Sequence, residues 1–251
     1  MSTRSFQLYM MLCEKLRKAR LLYKLVAEPR MGHSPSRERE VLFTASDKLL
    51  AYSDRSIILL EELYRRINNQ KVCVLGPLAD DIEHECVGSD STIVLVDRAP
   101  VSMIDNLIVV GDFDGLYNMD LYGICGSLSS TICLLHVHGD NYGRLSGLFD
   151  YQNILNVVFT SQIGCRWPIL GTGGYTDGDR AVLLAMALGA KEIRLAGFNF
   201  SNPYCGHKSY GCYGYFLKVK SLKLRIAELI VWTGALLYGY MVSPENYFHS
   251  I

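Results

Sequence analysis

From Lys71 onward, short aliphatic runs recur between segments of helical spacing, and that alternation limits the possible folds more than any other property of the chain. The runs are Val72 to Leu75, Ile93 to Val96, Leu107 to Val110, Thr131 to Val137, Ile154 to Thr160, Ile193 to Gly197 and Ala235 to Met241. Apolar runs without polar alternation are strands covered on both faces, and strands that alternate with helices pair in parallel. The expected fold class is therefore α/β, a doubly wound, mostly parallel sheet of Rossmann-like type over residues 69–251. Residues 1–68 read as an N-terminal helical segment. Ser5 to Glu28 has helical spacing that Pro29 ends, Ser36 caps a second helix reaching about Tyr52, and Ile57 to Ile67 forms a third. Nothing in that segment looks catalytic, so packing or a homo-oligomer contact is its expected role.

Composition narrows the partners. Lys+Arg and Asp+Glu are equal at 25 each and 49% of residues are hydrophobic, so nothing in the composition suggests a nucleic-acid tail, a polybasic membrane patch or a disordered chain. Met1 to Phe6 lacks an apolar signal region, and the apolar stretch from Leu229 to Val242 is shorter than the roughly 18 residues of a membrane span. A cytoplasmic enzyme acting on a small molecule is expected. The eight cysteines contain no CxxC pair, and several sit inside apolar runs, where they read as small core residues. Cys205, His207 and Cys212 lie close together but lack a fourth zinc ligand at a recognisable spacing; a Cys205 to Cys212 disulfide would suit a hyperthermophilic source.

In doubly wound sheets, ligands bind beyond the carboxyl ends of the strands. Those ends are chemically loaded here. They carry Gly76-Pro77, Asp97, Asp112 with Asp114, His136-Val-His-Gly-Asp-Asn141, Thr160-Ser-Gln162 and Asn199. Asp112 and Asp114 stand at i and i+2, so an extended backbone points both the same way, and two carboxylates on one side call for a cation. Mg²⁺ suits them, because it takes one or two carboxylates and fills its other positions with water and phosphate oxygens. His136 and His138 repeat the spacing, and Gly139 then presents Asp140 and Asn141. Phosphate donor, general base or outer metal shell are the roles open to the pair.

Gly171-Thr-Gly-Gly-Tyr-Thr-Asp-Gly-Asp-Arg180 runs directly into a helix-forming stretch, Ala181 to Leu188. A glycine-rich loop at a helix N-terminus offers backbone N–H groups to an anion. Gly173, Gly174, Thr176 and Arg180 are therefore phosphate-site candidates, while Thr176 or Asp177 would also serve as a simple cap. Asp177 and Asp179 repel phosphate unless a metal mediates, which points to a joint metal and phosphate role. A last helix, Phe216 to Glu228, carries Lys218, Lys220 and Lys223, ordinarily a solvated face, from which one lysine could reach the phosphates.

Taken in order, GDFDG at 111–115, HVHGDN at 136–141, TSQ at 160–162, GGYTDGDRA at 173–181 and the lysine-bearing helix from Lys218 resemble the archaeal 6-hydroxymethyl-7,8-dihydropterin pyrophosphokinases, relatives of the thiamine pyrophosphokinases. The resemblance covers most of residues 41 to 240. It implies a thiamine pyrophosphokinase-like catalytic fold and Mg²⁺-dependent transfer of diphosphate from ATP to a pterin hydroxymethyl group, releasing AMP, in archaeal folate or methanopterin biosynthesis. By the same likeness Asp112 and Asp114 would hold metal, with Asp177 and Asp179 as further metal or phosphate residues. His136, His138, Asp140, Asn141 and Gln162 would line the pocket.

Three departures bear on activity. Leu75-Gly-Pro-Leu78 replaces a longer glycine turn, Arg98-Ala-Pro100 lies in a shortened connection, and Asn199 stands where an aspartate is usual in that family. Alternatives that follow are a thiamine or other small-alcohol pyrophosphokinase, and a nucleotide-binding relative without catalysis. An aspartyl phosphohydrolase also begins with a strand and DxDG, yet here the motif falls on the third strand and is followed by Leu116.

Overall fold

The computed structural model describes residues 3–30, 34–79, 86, 91–97, 106–112, 121–126, 130–151, 154–201, 203, 215–243 and 247–250. Among them nine strands form one sheet: β1 (Lys71–Leu75), β2 (Thr92–Val96), β3 (Leu107–Gly111), β4 (Ile132–His136), β5 (Val157–Ser161), β6 (Leu170–Gly171), β7 (Glu192–Ala196), β8 (Tyr240–Val242) and β9 (Tyr247–Ser250). Their order is β6-β5-β4-β3-β2-β1-β7-β9-β8, with β6 to β7 parallel and the β9 and β8 edge antiparallel. The chain thus steps outward from β1 to β6 and returns to the other side of β1 for β7. That reversal is the topological switch point.

Successive strand residues face opposite sides of the sheet. Along β3, Ile108 and Val110 enter one core with Val72, Val94, Leu134 and Val158, whereas Leu107 and Val109 enter the other with Leu75, Leu95, Leu135 and Phe159. Helices α1 (Thr3–Lys15) and α4 (Ser53–Ile67) cover the first face through Leu12, Leu60 and Leu63, with Leu16 just after α1 in the same core. Helix α3 (Pro35–Leu49) covers the second through Val41, Leu42, Ala45 and Leu49. In α4 the buried positions 56, 59, 60, 63, 66 and 67 make a single stripe at helical spacing. Truncating one of these leucines to alanine costs about 2 to 5 kcal/mol.

The connection from β6 to β7 has to cross the whole sheet. Its helix, α7 (Asp177–Leu188 after the short α5, Leu121–Cys125, and α6, Tyr142–Leu145), is buried from Asp179 to Leu188. A helix enclosed on all sides needs apolar residues all round, which is why Ala181 to Leu188 shows no polar face. Short α2 (Arg17–Leu22) and long α8 (Tyr215–Tyr238) pack on its outer side through Ala19, Leu22, Ile226 and Ile230 against Leu183. Among the described residues no helix is long and apolar enough to cross a membrane.

Several sequence expectations shift. Ala235 to Tyr238 is helix, not strand, because α8 runs ten residues beyond Glu228 before Gly239, at φ +76, ends it and β8 begins at Tyr240. The second helix starts at Pro35, with Ser34 rather than Ser36 in the capping position. Strands β6 and β9 are additional; β6 is two residues long and β9 pairs at the antiparallel edge, so neither has a long apolar run. Cysteine is the larger correction. Cys13 pairs with Cys165, Cys73 with Cys86 and Cys125 with Cys133, so these six are crosslinks as well as core residues. Cys205, His207 and Cys212 lie outside the described residues, as does the Arg98 to Pro100 connection.

The pairing is directly measurable. Alkylation in denaturant without reductant should label at most Cys205 and Cys212 of the eight cysteines, and mass spectrometry should find the other six labelled only after reduction. Eight labels before reduction would contradict it.

Candidate metal and phosphate site

Three carboxylates from three separate elements converge at the carboxyl edge of the sheet. Asp97 follows β2, Asp112 follows β3 and Asp177 opens α7, and one carboxylate oxygen from each lies within 4.8 Å of the other two. Parallel register makes this possible, since Val96 pairs with Val110 and both chains leave the sheet at nearly the same level. Asp97 turns back at φ +50, a left-handed conformation that Asp tolerates better than most residues, and its N–H donates to the Val110 carbonyl at 2.8 Å. The third carboxylate arrives because the crossing helix starts above this edge.

The cap of α7 decides which aspartate faces the group. Thr176 accepts from the Asp179 N–H, while Asp179 accepts from the N–H groups of Tyr175 at 2.7 Å and Thr176 at 2.5 Å and from the Thr176 hydroxyl. This capping box consumes Asp179, which is fully buried, and leaves Asp177 to project toward Asp112. Thr176 and Asp179 therefore hold the helix, and Asp179 stands outside the three-carboxylate group. Asp114 lies outside the described residues.

Burial raises the Asp177 carboxyl well above its ordinary range, and the neighbouring Asp112 and Asp97 add to the shift against the opposing Arg180. Arg180, itself buried, donates through Nη1 to Asp177. A single guanidinium leaves this cluster short of positive charge. Three crowded carboxylate oxygens are the hard donor set that a small divalent cation accepts, so the residues fit such an ion.

Donors surround the acids. His136 is 2% exposed, with Nε2 3.3 Å from Gln162 Oε1 and Nδ1 3.4 Å from the Thr160 hydroxyl. These contacts make His136 a support beneath the site: its ring fixes Gln162, whose amide Nε2 has no hydrogen-bond partner among the described residues, nor has Arg180 Nε. Two buried donors in want of acceptors beside three carboxylates suit phosphate oxygens bridged by a cation. His138 Nδ1 accepts from the Asp140 N–H at 3.3 Å, which puts the ring proton of the neutral form on Nε2, 3.8 Å from Asp112 Oδ2. Asn141 ties the two strand ends together. It donates to the Asp112 and His136 carbonyls at 2.9 and 2.6 Å and accepts from the His138 N–H at 2.9 Å. Asp140 is exposed.

The glycine loop is shaped by its neighbours. Gly173 has φ +66, and a Cβ there would come within 2.5 Å of the Ala19 carbonyl oxygen on α2; Gly174, at φ +80, abuts Arg180. Both are buried, so their glycine is required by close packing. At the switch point Gly76 donates to the Ala196 carbonyl at 2.8 Å and packs against Gly197. Asn199 is exposed and accepts from the Ser201 N–H at 3.0 Å. On α8, Lys218 is exposed and Lys220 half-buried, while the Lys223 ammonium lies 5.8 Å over the Tyr175 ring at the glycine loop. Asp97 is the member that sequence reasoning placed at a strand end without assigning it to the metal set; its turn at positive φ leaves no mark in an aliphatic run followed by Asp.

Carboxylates and buried N–H donors gathered at the carboxyl edge of a mostly parallel sheet define a class, the α/β proteins that bind their ligands beyond that edge. No family model matches the chain. Over 177 residues, 68% of this chain and 72% of the relative, it is 31% identical to the 6-hydroxymethyl-7,8-dihydropterin pyrophosphokinase of Pyrococcus furiosus. Proteins of the same name from Methanothermobacter thermautotrophicus and Methanocaldococcus jannaschii are 35% identical over 43% of this chain and 33% over 37%, covering 47% and 39% of those relatives. The chain belongs to the 6-hydroxymethyl-7,8-dihydropterin pyrophosphokinase family.

Burial of His136, with Arg180 and His138 nearby, holds its imidazole well below the usual histidine range. Below about pH 6.5 the unfolded chain therefore takes up a proton that the folded chain refuses, and stability is lost at up to about 1.4 kcal/mol per pH unit. Urea midpoints at pH 7.5 and 5.5 should show this loss in the parent and less of it in His136→Asn. An equal loss in both would contradict the assignment.

Proposed function

We propose that this chain transfers the terminal diphosphate of ATP to the hydroxymethyl oxygen of 6-hydroxymethyl-7,8-dihydropterin and releases AMP. The observation that carries the reading is the convergence of Asp97, Asp112 and Asp177 with Gln162 Nε2 and Arg180 Nε, donors that have no partner among the described residues, in a chain of this family. In the transfer, the hydroxymethyl oxygen bonds the β-phosphorus while the bond from that phosphorus to the α,β-bridging oxygen breaks, and the hydroxyl proton leaves to solvent.

Such a reaction asks the protein to position two substrates and balance phosphate charge. Asp97, Asp112 and Asp177 would hold Mg²⁺, which when bound supplies positive charge to the phosphate oxygens. Arg180 and the Gln162 amide donate to the same oxygens, and their burial means that little reorganises when the charge moves. His136 keeps Gln162 aimed, Asn141 keeps Asp112 level with the β4 end, and Lys223 lies at the loop side. The reading carries with it a thiamine pyrophosphokinase-like catalytic fold and a soluble cytoplasmic enzyme of pterin biosynthesis.

AMP release from ATP and Mg²⁺ with the pterin as acceptor, run beside thiamine and a no-acceptor control, tests it. AMP is expected with the pterin alone. Asp112→Asn should reduce turnover by about 100-fold or more, and in EDTA it should melt no lower than the parent, because it removes one of three mutually repelling carboxylates. Full activity in Asp112→Asn, or AMP with thiamine only, would overturn the reading.

A further inference from the structure

The connection from β5 to β6 ties the N-terminal helices to the site. It starts at Gln162 and ends at Gly171, where the glycine loop begins. Three links hold it to α1 and α3. The Tyr9 hydroxyl donates to the Ile169 carbonyl at 2.8 Å, the Ser46 hydroxyl donates to the Trp167 carbonyl at 2.6 Å, and Cys13 is bonded to Cys165. The first two do not respond to redox chemistry, and the third does.

Access and charge single out this bond among the three disulfides. Cys73, Cys86, Cys125 and Cys133 are buried, and so is Cys13, whereas Cys165 is half-buried. Its Sγ accepts from the Gly171 N–H at 3.2 Å and from Arg20 Nη1 at 3.5 Å. A partly exposed sulfur that faces a guanidinium and a backbone N–H is prepared to carry negative charge, which is the setting of an exchangeable cysteine. Arg20 and Ile163 also line a cavity of about 410 Å³, together with Arg17, Lys24 and Arg39 against Glu28. Such a cationic approach favours an anionic thiol over a neutral one.

We propose that Cys165 is a thiol-exchange site, through which an anionic dithiol opens the link to α1 and loosens the glycine loop. A thiolate of the reductant attacks Cys165 Sγ, the bond to Cys13 breaks, and Cys13 leaves as a thiolate that takes up a proton. The second thiol of the reductant then displaces Cys165 from the mixed disulfide. The reductant departs as its own disulfide, and two electrons and two protons have passed to the protein. Tyr9 and Ser46 keep the connection in place, so the fold survives. What changes is Gly171, whose N–H loses an acceptor that was fixed from α1.

Reductive titration of the native full chain, read by alkylation and peptide mapping, tests the proposal. Dihydrolipoate should open Cys13–Cys165 at least tenfold faster than the other two bonds, and at least threefold faster than neutral dithiothreitol does at matched thiolate concentration. Lys24 and Arg39 are exposed, so Lys24→Glu/Arg39→Glu leaves the core intact and should bring the two reductants level. In Cys13→Ser the Cys165 thiol should be labelled at least tenfold faster than the Cys13 thiol in Cys165→Ser. Amide hydrogen exchange over residues 171–176 should rise at least threefold on reduction. All three bonds opening together, equal rates with the two reductants in the parent, Cys13 labelled as fast as Cys165, or unchanged exchange over 171–176 would each overturn it. None of these readouts involves ATP, pterin or metal, so the outcome is independent of the pyrophosphokinase reading.

Discussion

Three carboxylates held within 4.8 Å of one another repel, and the rest of the structure is arranged so that they stay there. Each aspartate is fixed by its backbone and not by a flexible arm. Asp97 and Asp112 leave adjacent parallel strands whose register brings them level, and Asp177 is set by the cap of a helix that the fold buries on every side. Helix α7 has to cross from β6 at one end of the sheet to β7 beyond β1, so its N-terminus necessarily lies over the carboxyl edge. Two cores, the buried helix and the packed glycine loop hold that geometry against the repulsion.

The division of labour between Asp177 and Asp179 follows from the same cap. Two aspartates at i and i+2 on a helix start look equivalent as a pair of ligands, yet the N3 position is the one that folds back on the cap residue. Asp179 spends its charge on backbone N–H groups, and Asp177 faces Asp112 and Arg180. The glycines before them have a comparable duty. Gly173 lets the loop pass under Ala19, which locks the N-terminal helices to the glycine loop and explains why one arginine from α2 reaches Gly171.

Much of this was legible in the chain. Aliphatic runs marked six parallel strands to within three residues at their starts, the strand-end rule put Asp97, Asp112, His136, Asn141 and Gln162 at one edge, and the glycine loop before a helix singled out Asp177. What escaped depends on tertiary contact. The grouping of Asp97 with the other two carboxylates needed a positive φ and a partner strand, the helix over Ala235 to Tyr238 needed the packing surface of α7, and the disulfides join residues as far apart as Cys13 and Cys165. His136 looked like a site group by its spacing with His138. In the structure it is buried with Nε2 3.3 Å from Gln162 Oε1, a placement that period-2 spacing does not carry.

The most direct test of the central claim is a crystal of the full chain grown with Mn²⁺ and a non-hydrolysable ATP analogue, with the anomalous signal of the ion located. The account predicts a peak bonded to carboxylate oxygens of Asp97, Asp112 and Asp177, with phosphate oxygens completing the shell. A metal held elsewhere, or one that ignores Asp97 and Asp177, would contradict it.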